Sequence, residues 1–381
     1  MSHPQHQAGE LVLHADQVIF PQGAPRPGWV RIQGETLVQV GTDAPPAGAR
    51  RLGKKILAPG FVDMHVHGGG GAAFTDGVAA AQTVLATHRA HGTTTMVASL
   101  VTDTIDHLEH QVSVLAPLAE AGELAGIHLE GPWLSQQRCG AHDPALLIDP
   151  TEADVVRLLD AGRGHVRMVT LAPERHGALE TIALLRSRGV VAALGHTDAT
   201  HQQTAAGLDA GARVGTHLFN AMPSVHHRKP GPIPWLLNHP DVVVELIADG
   251  IHLHPSVVSM AAHAAQGRFA LITDAMAAAG NPDGSYRLGP LDVDVVGGVA
   301  RIRDTGAIAG STLTLDAAVR YAVNHAHLPL EVAVRAASTT PADVLGRSDI
   351  GRIAPGARAD LVVLDTHMTV CDVLIAGRQV E

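Results

Sequence analysis

Aromatic residues are scarce in this chain, at 3% of 381 positions. A core without large rings must be filled by Ala, Val, Leu and Ile, the residues that parallel strands and their covering helices bury. Cysteine is scarcer still, with only Cys139 and Cys371. Two distant thiols give no disulfide framework and suit a reducing compartment. No apolar run is long enough to span a bilayer, and Met1 to Glu10 holds no apolar signal-peptide core. The expected location is therefore cytoplasmic, with no membrane partner. The formal net charge of −10 argues against non-specific nucleic-acid binding. It leaves room for a small anionic ligand, because a phosphate needs only local positive charge.

Hydrophobic residues, at 46% against 17% charged, describe a globular chain rather than a disordered one. The length suits a barrel plus a smaller domain. Histidine stands out, at 25 residues. Abundance selects no ligand: His3, His6, His88, His107 and His325 are scattered and read as surface or packing residues. Context must do the selecting.

Short β-branched-rich runs at Leu11–Leu13, Trp29–Ile32 and Thr36–Val40 lie between Pro/Gly clusters and read as small antiparallel strands. Asp360–Leu364 and Val370–Ala376 repeat that style before the Gly377-Arg378 turn. Strands at both ends around a different middle predict one small β-sandwich domain built from residues 1–57 and 346–381. The middle, residues 58–345, alternates. Apolar runs recur at Gly60–His65, Thr93–Ser99, Gly126–Glu130, Val166–Leu171, Val190–Gly195, Val214–His217, Val242–Ile247 and Phe269–Thr273. Segments of helical spacing separate them, as at Ala79–His91, Glu152–Ala161, Ala178–Arg188 and His201–Ala210. About eight β–α units is the count of a closed parallel barrel, so the predicted fold is α/β, a (β/α)₈ TIM-type barrel. A doubly wound open sheet competes, but it calls for a Gly-rich phosphate turn after its first strand. Gly68–Gly71 follows a His-Val-His triplet instead, which suits a metal better than a dinucleotide. Ser285–Asp304 alternates between turn residues and reads as a hairpin inserted after the eighth strand.

Barrel enzymes place their chemistry at the C-terminal ends of strands, and here those ends are ionisable. The first carries His65 and His67, two residues apart and so on one side of an extended segment. The third ends at Glu130, the fifth at His196, the sixth at His217 and the eighth at Asp274. Any one of these histidines alone reads as a hydrogen-bonded packing residue, and Glu130 alone as an ion-pair partner. Recurrence over five strand ends that a barrel gathers together changes that reading. Imidazole and carboxylate without thiolate suit Zn²⁺, or Fe²⁺ and similar first-row ions. An ion such as Zn²⁺ lowers the pKa of its bound water to about 7. Asp274 is the carboxylate expected to take that proton as general base and return it as general acid.

The order His-x-His, Glu, His, His, Asp resembles the amidohydrolase superfamily, with its barrel and flanking β-sandwich. Within it, the chain is similar to the N-acetylglucosamine-6-phosphate deacetylases. The motifs are His128-Leu129-Glu130-Gly131-Pro132-Trp133, Gly140-Ala141-His142, Leu194-Gly195-His196-Thr197-Asp198 and His217-Leu218-Phe219-Asn220-Ala221-Met222. Ala248-Asp249-Gly250-Ile251-His252, Thr273-Asp274-Ala275 and Ala309-Gly310-Ser311 extend the likeness over essentially the whole chain. The resemblance implies Glu130, His196 and His217 as principal ligands, with His65 and His67 holding a second ion and Glu130 bridging, so one or two divalent ions per subunit. It implies a phosphorylated amino sugar as substrate. Its acetyl carbonyl or hydroxyls would meet His142 and His252, beside Ala141, with Ile308, Ala309 and Gly310 lining the sugar pocket. Its phosphate would meet Asn220 and Ala221, partly through the backbone, with His227 and Arg228.

His226-His227-Arg228-Lys229 is the densest basic cluster in an acidic chain, and Arg grips phosphate through paired N–H donors. A solvated surface loop is the alternative for His226 and Lys229. In related enzymes such a loop reaches a neighbouring subunit, which implies a homodimer with a shared phosphate site. Cys139 stands where the family carries a basic residue, as a filler or as a substrate-loop thiol. Rival readings are a deacetylase for the galactosamine epimer, a cyclic-amide hydrolase and a catalytically dead barrel scaffold. Cyclic-amide members bridge metals with a carboxylated lysine, whereas this chain has very few lysines and Glu130 stands at the bridge. Dead scaffolds lose ligands; this set is complete.

Overall fold

A computed structural model describes residues 10–380; His3, His6 and the rest of the segment before Glu10 lie outside the described residues. Eight parallel strands run side by side in chain order: β1 (Phe61–Val66), β2 (Thr93–Val101), β3 (Gly126–Glu130) and β4 (Val166–Leu171), then β5 (Val191–Leu194), β6 (Val214–Gly215), β7 (Val243–Ile247) and β8 (Phe269–Ile272). Every residue of β1, β2, β3 and β8 is buried, because the strands are covered on the outside by helices and pack a filled interior. Two of the helices start where the sequence offers a cap. Thr151 accepts from the Asp154 N–H, and Thr200 forms a reciprocal capping box with Gln203.

β8 returns to β1 through individual bonds. The Asp274 N–H donates to the His65 carbonyl (2.9 Å), and the Thr273 hydroxyl donates to Asp63 Oδ2 (2.6 Å). Burial pushes the Asp63 carboxyl up to about 7, against the downward pull of its bonds from Thr273 and from the His65 N–H. The seam that closes the barrel therefore runs beside the residues that carry its chemistry.

A second sheet combines strands from both ends of the chain. Ile56–Pro59 pairs antiparallel with Leu361–Leu364 and parallel with Glu10–Val18, over a separate core that includes Leu13, Ile32, Leu57 and Val363. Ala58 and Pro59 still belong to this sheet, and only Gly60 separates it from β1. The sequence pattern predicts a hairpin over Ser285–Asp304, but the segment forms three antiparallel strands, Gly284–Leu288, Leu291–Val296 and Val299–Ile302. The extra strand arises because Gly297 and Gly298, at φ +60° and +76°, reverse the chain a second time. This small sheet packs Leu288, Val293 and Val295 against Val101 and Met276 over the mouth of the barrel. Among the described residues no helix is long and apolar enough to cross a membrane.

Candidate active site

The extended end of β1 delivers His65 and His67 from one side of the strand, and β3 delivers Glu130; all three are buried. The other three ionisable groups come from chain that has just left its strand in an unusual conformation. His196, His217 and Asp274 have φ of +45°, +25° and +49°. Such backbone is costly for residues with a Cβ and concentrates where a side chain must be aimed. Here β5, β6 and β8 each turn sharply to aim one side chain at the barrel axis. Local bonds hold the turns: the Ser311 N–H donates to the Asp274 carbonyl (2.8 Å), and the His217 N–H to Glu245 Oε2 (3.1 Å). Gly310 makes the first of these feasible, since a Cβ there would lie 2.9 Å from the Asp274 carbonyl oxygen.

The donors fall into two sets that share Glu130. His196 Nε2 and His217 Nε2 are 3.0 Å apart, and lie 3.2 and 3.0 Å from Glu130 Oε1. On the other side His67 Nε2 is 3.2 Å from Glu130 Oε2 and 3.1 Å from Asp274 Oδ1. His65 Nε2 stands 3.2 Å from His67 Nε2 and 3.5 Å from both carboxylates. Four donors at about 2.0–2.1 Å around a tetrahedral ion are roughly 3.3 Å from one another. Imidazole nitrogens facing each other at that spacing either share a proton or point their lone pairs at a common ion, and the distances here match the second arrangement as well as the first. The residues therefore fit a divalent ion of borderline character, with nitrogen and oxygen donors. His142 adds to the first set, with Nε2 3.6 Å from Glu130 Oε2.

A further layer fixes the rings. His196 Nδ1 bonds the Arg138 carbonyl (2.9 Å), and His252 Nδ1 bonds Asp249 Oδ2 (2.7 Å). His65 Nδ1 lies 3.1 Å from Glu245 Oε2. Glu245 escapes sequence reasoning because it sits inside the apolar run of β7. The available signal was a lone carboxylate in a strand with no solvent face: a fully buried acid must have a partner. His128 is a second such residue, bonded to Ser99 and Thr170 (2.9 and 2.8 Å) beneath the donor cage.

Charge in the cage is strongly coupled. Burial opposes protonation of His65, yet Glu130, Glu245 and Asp274 outweigh it and raise its pKa well above the ordinary value. Burial is likewise overcome at His67, which Asp274 and Glu130 raise to about 9. Burial works upward on Asp274, but His65 and His67 hold its carboxyl below the usual range. At His196 burial wins, with help from His142, and lowers the pKa to about 4. Buried carboxylates in this arrangement demand positive charge, and a cation is the natural supply.

A cavity of about 260 Å³ opens onto the cage, lined by His67, Glu130, Ala141, His142, His196, His217, Asn220, Ala221, His252, Asp274, Ile308 and Gly310, with Val101, Gly140, Leu288 and Ala307. His65 lies fully buried behind it. Ala309, between two lining residues, packs into the apolar cluster under the small sheet. His227 and Arg228 are exposed and lie outside this cavity. The Arg228 guanidinium contacts His227 Nε2 (2.6 Å) and borders a neighbouring cavity of about 510 Å³ with Asp198, His201 and Lys229. Cys139 is half-buried, and its carbonyl accepts from the His142 N–H (3.0 Å).

A parallel barrel whose strand ends gather imidazoles and carboxylates is an architecture suited to metal-assisted catalysis, and the model of the amidohydrolase family matches residues 56–380. The chain belongs to that family and is a hydrolase. Among its relatives, an N-acetylgalactosamine-6-phosphate deacetylase of Escherichia coli O157:H7 is 38% identical over 339 residues, 87% of this chain and 90% of that protein. An N-acetylglucosamine-6-phosphate deacetylase of Homo sapiens is 36% identical over 348 residues, covering 87% and 85%. The solved structure of N-acetyl-D-glucosamine-6-phosphate deacetylase from Mycobacterium smegmatis, in complex with N-acetyl-D-glucosamine-6-phosphate, is 52% identical, with TM-score 0.95 over 97% of this chain and 99% of that one.

Proposed function

We propose that the chain hydrolyses the acetamide of N-acetyl-D-glucosamine 6-phosphate, giving D-glucosamine 6-phosphate and acetate. The observation that carries this is the shared carboxylate: Glu130 presents one oxygen to each donor set, and Asp274 stands against His67 and itself lines the cavity. The Mycobacterium smegmatis enzyme, at 52% identity, supports the choice of sugar. Glu130, His196 and His217 would hold one ion and His65, His67 and Glu130 a second, with zinc the best match to these donors and iron the alternative. Such an ion supplies Lewis acidity for the acetyl carbonyl and acidifies the attacking water.

The protein's own groups do the rest. Asp274, kept ionised by its histidine neighbours, accepts the proton of the attacking water and returns it to the sugar nitrogen as the C–N bond breaks. His252, with Nδ1 committed to Asp249, keeps Nε2 for the acetyl oxygen or a hydroxyl, and His142 flanks it. Ile308 and Gly310 form the sugar wall, with Ala309 packed behind them in the apolar cluster. Asn220 and Ala221, with His227 and Arg228, hold the phosphate. Because His227 and Arg228 lie outside the cavity that holds Asp274, we assign them to the site of a partner in a homodimer. Cytoplasmic location completes the reading, with a division at residues 1–57, 58–345 and 346–381 whose first boundary shifts to Gly60, because Ala58 and Pro59 pair in the terminal sheet.

The Escherichia coli relative, at 38% identity, favours a second reading, the galactosamine epimer. One assay separates the two: deacetylation of both 6-phosphorylated N-acetyl sugars and of the unphosphorylated form, with metal content measured on the same sample. Turnover of neither phosphorylated sugar by metal-loaded protein overturns both readings.

A further inference from the structure

Glu245 touches both donor sets without belonging to either. Its carboxylate is wholly buried in the middle of β7. Oε2 meets His65 Nδ1 at 3.1 Å and accepts the His217 N–H at 3.1 Å, while Oε1 has no hydrogen-bond partner among the described residues. An isolated buried carboxylate is costly, so its retention needs an interaction of comparable strength.

Geometry supplies two. A carboxylate accepts only, so the hydrogen between Glu245 and His65 sits on Nδ1, and Nε2 is the nitrogen that faces His67, Glu130 and Asp274 and would offer its lone pair to an ion there. A ring that donates Nδ1–H to a carboxylate is also more basic at its other nitrogen, and so a stronger ligand. The second bond secures the main chain of His217 just where φ reaches +25°. Glu245 is thus tied to the second donor set through an imidazole and to the first through a peptide N–H.

We propose that Glu245 is a positioning residue for metal binding: it fixes the His65 tautomer, strengthens His65 as a ligand, and links the two ion positions. This rests on the metal-dependent reading of the site. Loss of such a partner weakens metal binding ~10–100-fold. The linkage makes the effect unequal. The ion held by His65 and His67 is lost first, and the ion held by His196 and His217 is retained longer.

The test is competitive chelator titration with Co²⁺, with the visible spectrum recorded at each stoichiometry, on the wild-type chain, Glu245→Gln, His65→Ala and the double variant. Gln preserves volume and one acceptor, so folding of the metal-free proteins is compared by thermal melting. The expected result for Glu245→Gln is a ~10–100-fold weaker second Co²⁺ step and a changed spectrum, with little further loss when His65 is already Ala. Wild-type Co²⁺ affinity and spectrum in Glu245→Gln overturn the proposal. So does a loss of equal size in the His65→Ala background, because Glu245 then acts without His65. Failure of the wild-type chain to bind Co²⁺ at all refutes the metal-dependent reading itself, a separate outcome. If Glu245→Gln does not fold, Glu245→Asp replaces it: a carboxylate drawn back by one methylene must weaken the second step, and unchanged binding counts against the proposal.

Discussion

Replacing Asp274 by Asn removes a proton carrier while leaving the local structure in place. Asn tolerates the left-handed backbone better than most residues, so φ of +49° is retained. The main-chain bonds to His65 (2.9 Å) and Ser311 (2.8 Å) do not involve the side chain. Glu130, His65, His67, His196 and His217 remain, so metal content should stay at the wild-type level. The amide neither accepts the water's proton nor returns one to the departing nitrogen. General acid–base catalysis is worth ~10²–10⁴-fold, which corresponds to about 3–5 kcal/mol of barrier. Because this loss falls on the chemical step, kcat should drop by that factor while substrate affinity changes little. The assay combines steady-state kinetics on N-acetyl-D-glucosamine 6-phosphate with metal analysis and calorimetric binding of substrate. Turnover within a few-fold of wild type refutes the reasoning, and loss of metal with normal substrate binding reassigns Asp274 as a ligand.

Arg228→Ala should raise KM for the 6-phosphorylated sugar by about tenfold or more and leave turnover of the unphosphorylated sugar unchanged, since only the first loses a charge-assisted bond; equal effects on both sugars would remove Arg228 from the phosphate site. Mixing Arg228→Ala with Asp274→Asn subunits should restore activity above either parent if the phosphate site is shared between subunits, and no recovery counts against sharing. Gly310→Ala combines ~1–2 kcal/mol of left-handed strain with a contact of 2.9 Å on the Asp274 carbonyl, so kcat should fall more than KM changes; a wild-type rate would show that this loop yields freely. His88 is buried, and burial lowers its pKa from 6.5 to about 4. Between those values the unfolded chain takes up a proton that the folded chain refuses, so this contribution is complete above pH 6.5 and lost as pH falls towards 4, by about 3 kcal/mol in all. His88→Gln should flatten the fall in melting temperature from pH 7 to 4.5, and an unchanged slope would exclude His88 as its source.

The barrel is legible in the sequence because buried parallel strands are nearly continuous apolar runs, and an ionisable residue at the end of such a run is conspicuous. That is how His65, Glu130, His196, His217 and Asp274 stand out. The same rule hides Glu245, whose carboxylate interrupts a run in its middle and looks like an irregularity in an otherwise apolar strand. The third strand of the small sheet, Val299–Ile302, was obscured by its brevity and by the turn-like Gly297-Gly298 pair ahead of it. Periodicity also carries the chain too far at β6. Val214–His217 reads as one strand, yet pairing stops at Gly215, because His217 must turn to face Glu130. Where a side chain has a job at the axis, regular structure ends early.

The Ile56–Pro59 strand has a consequence in time as well as in space. It leads directly into β1, and so into His65 and His67, but its antiparallel neighbour is Leu361–Leu364, some three hundred residues later. During synthesis the strand that delivers two of the donors waits with one edge unpaired until almost the whole barrel has left the ribosome. A pause or truncation before Leu361 leaves the first barrel strand without its anchor. The strand that leads into two of the donors thus gains its second neighbour only when the chain is nearly finished.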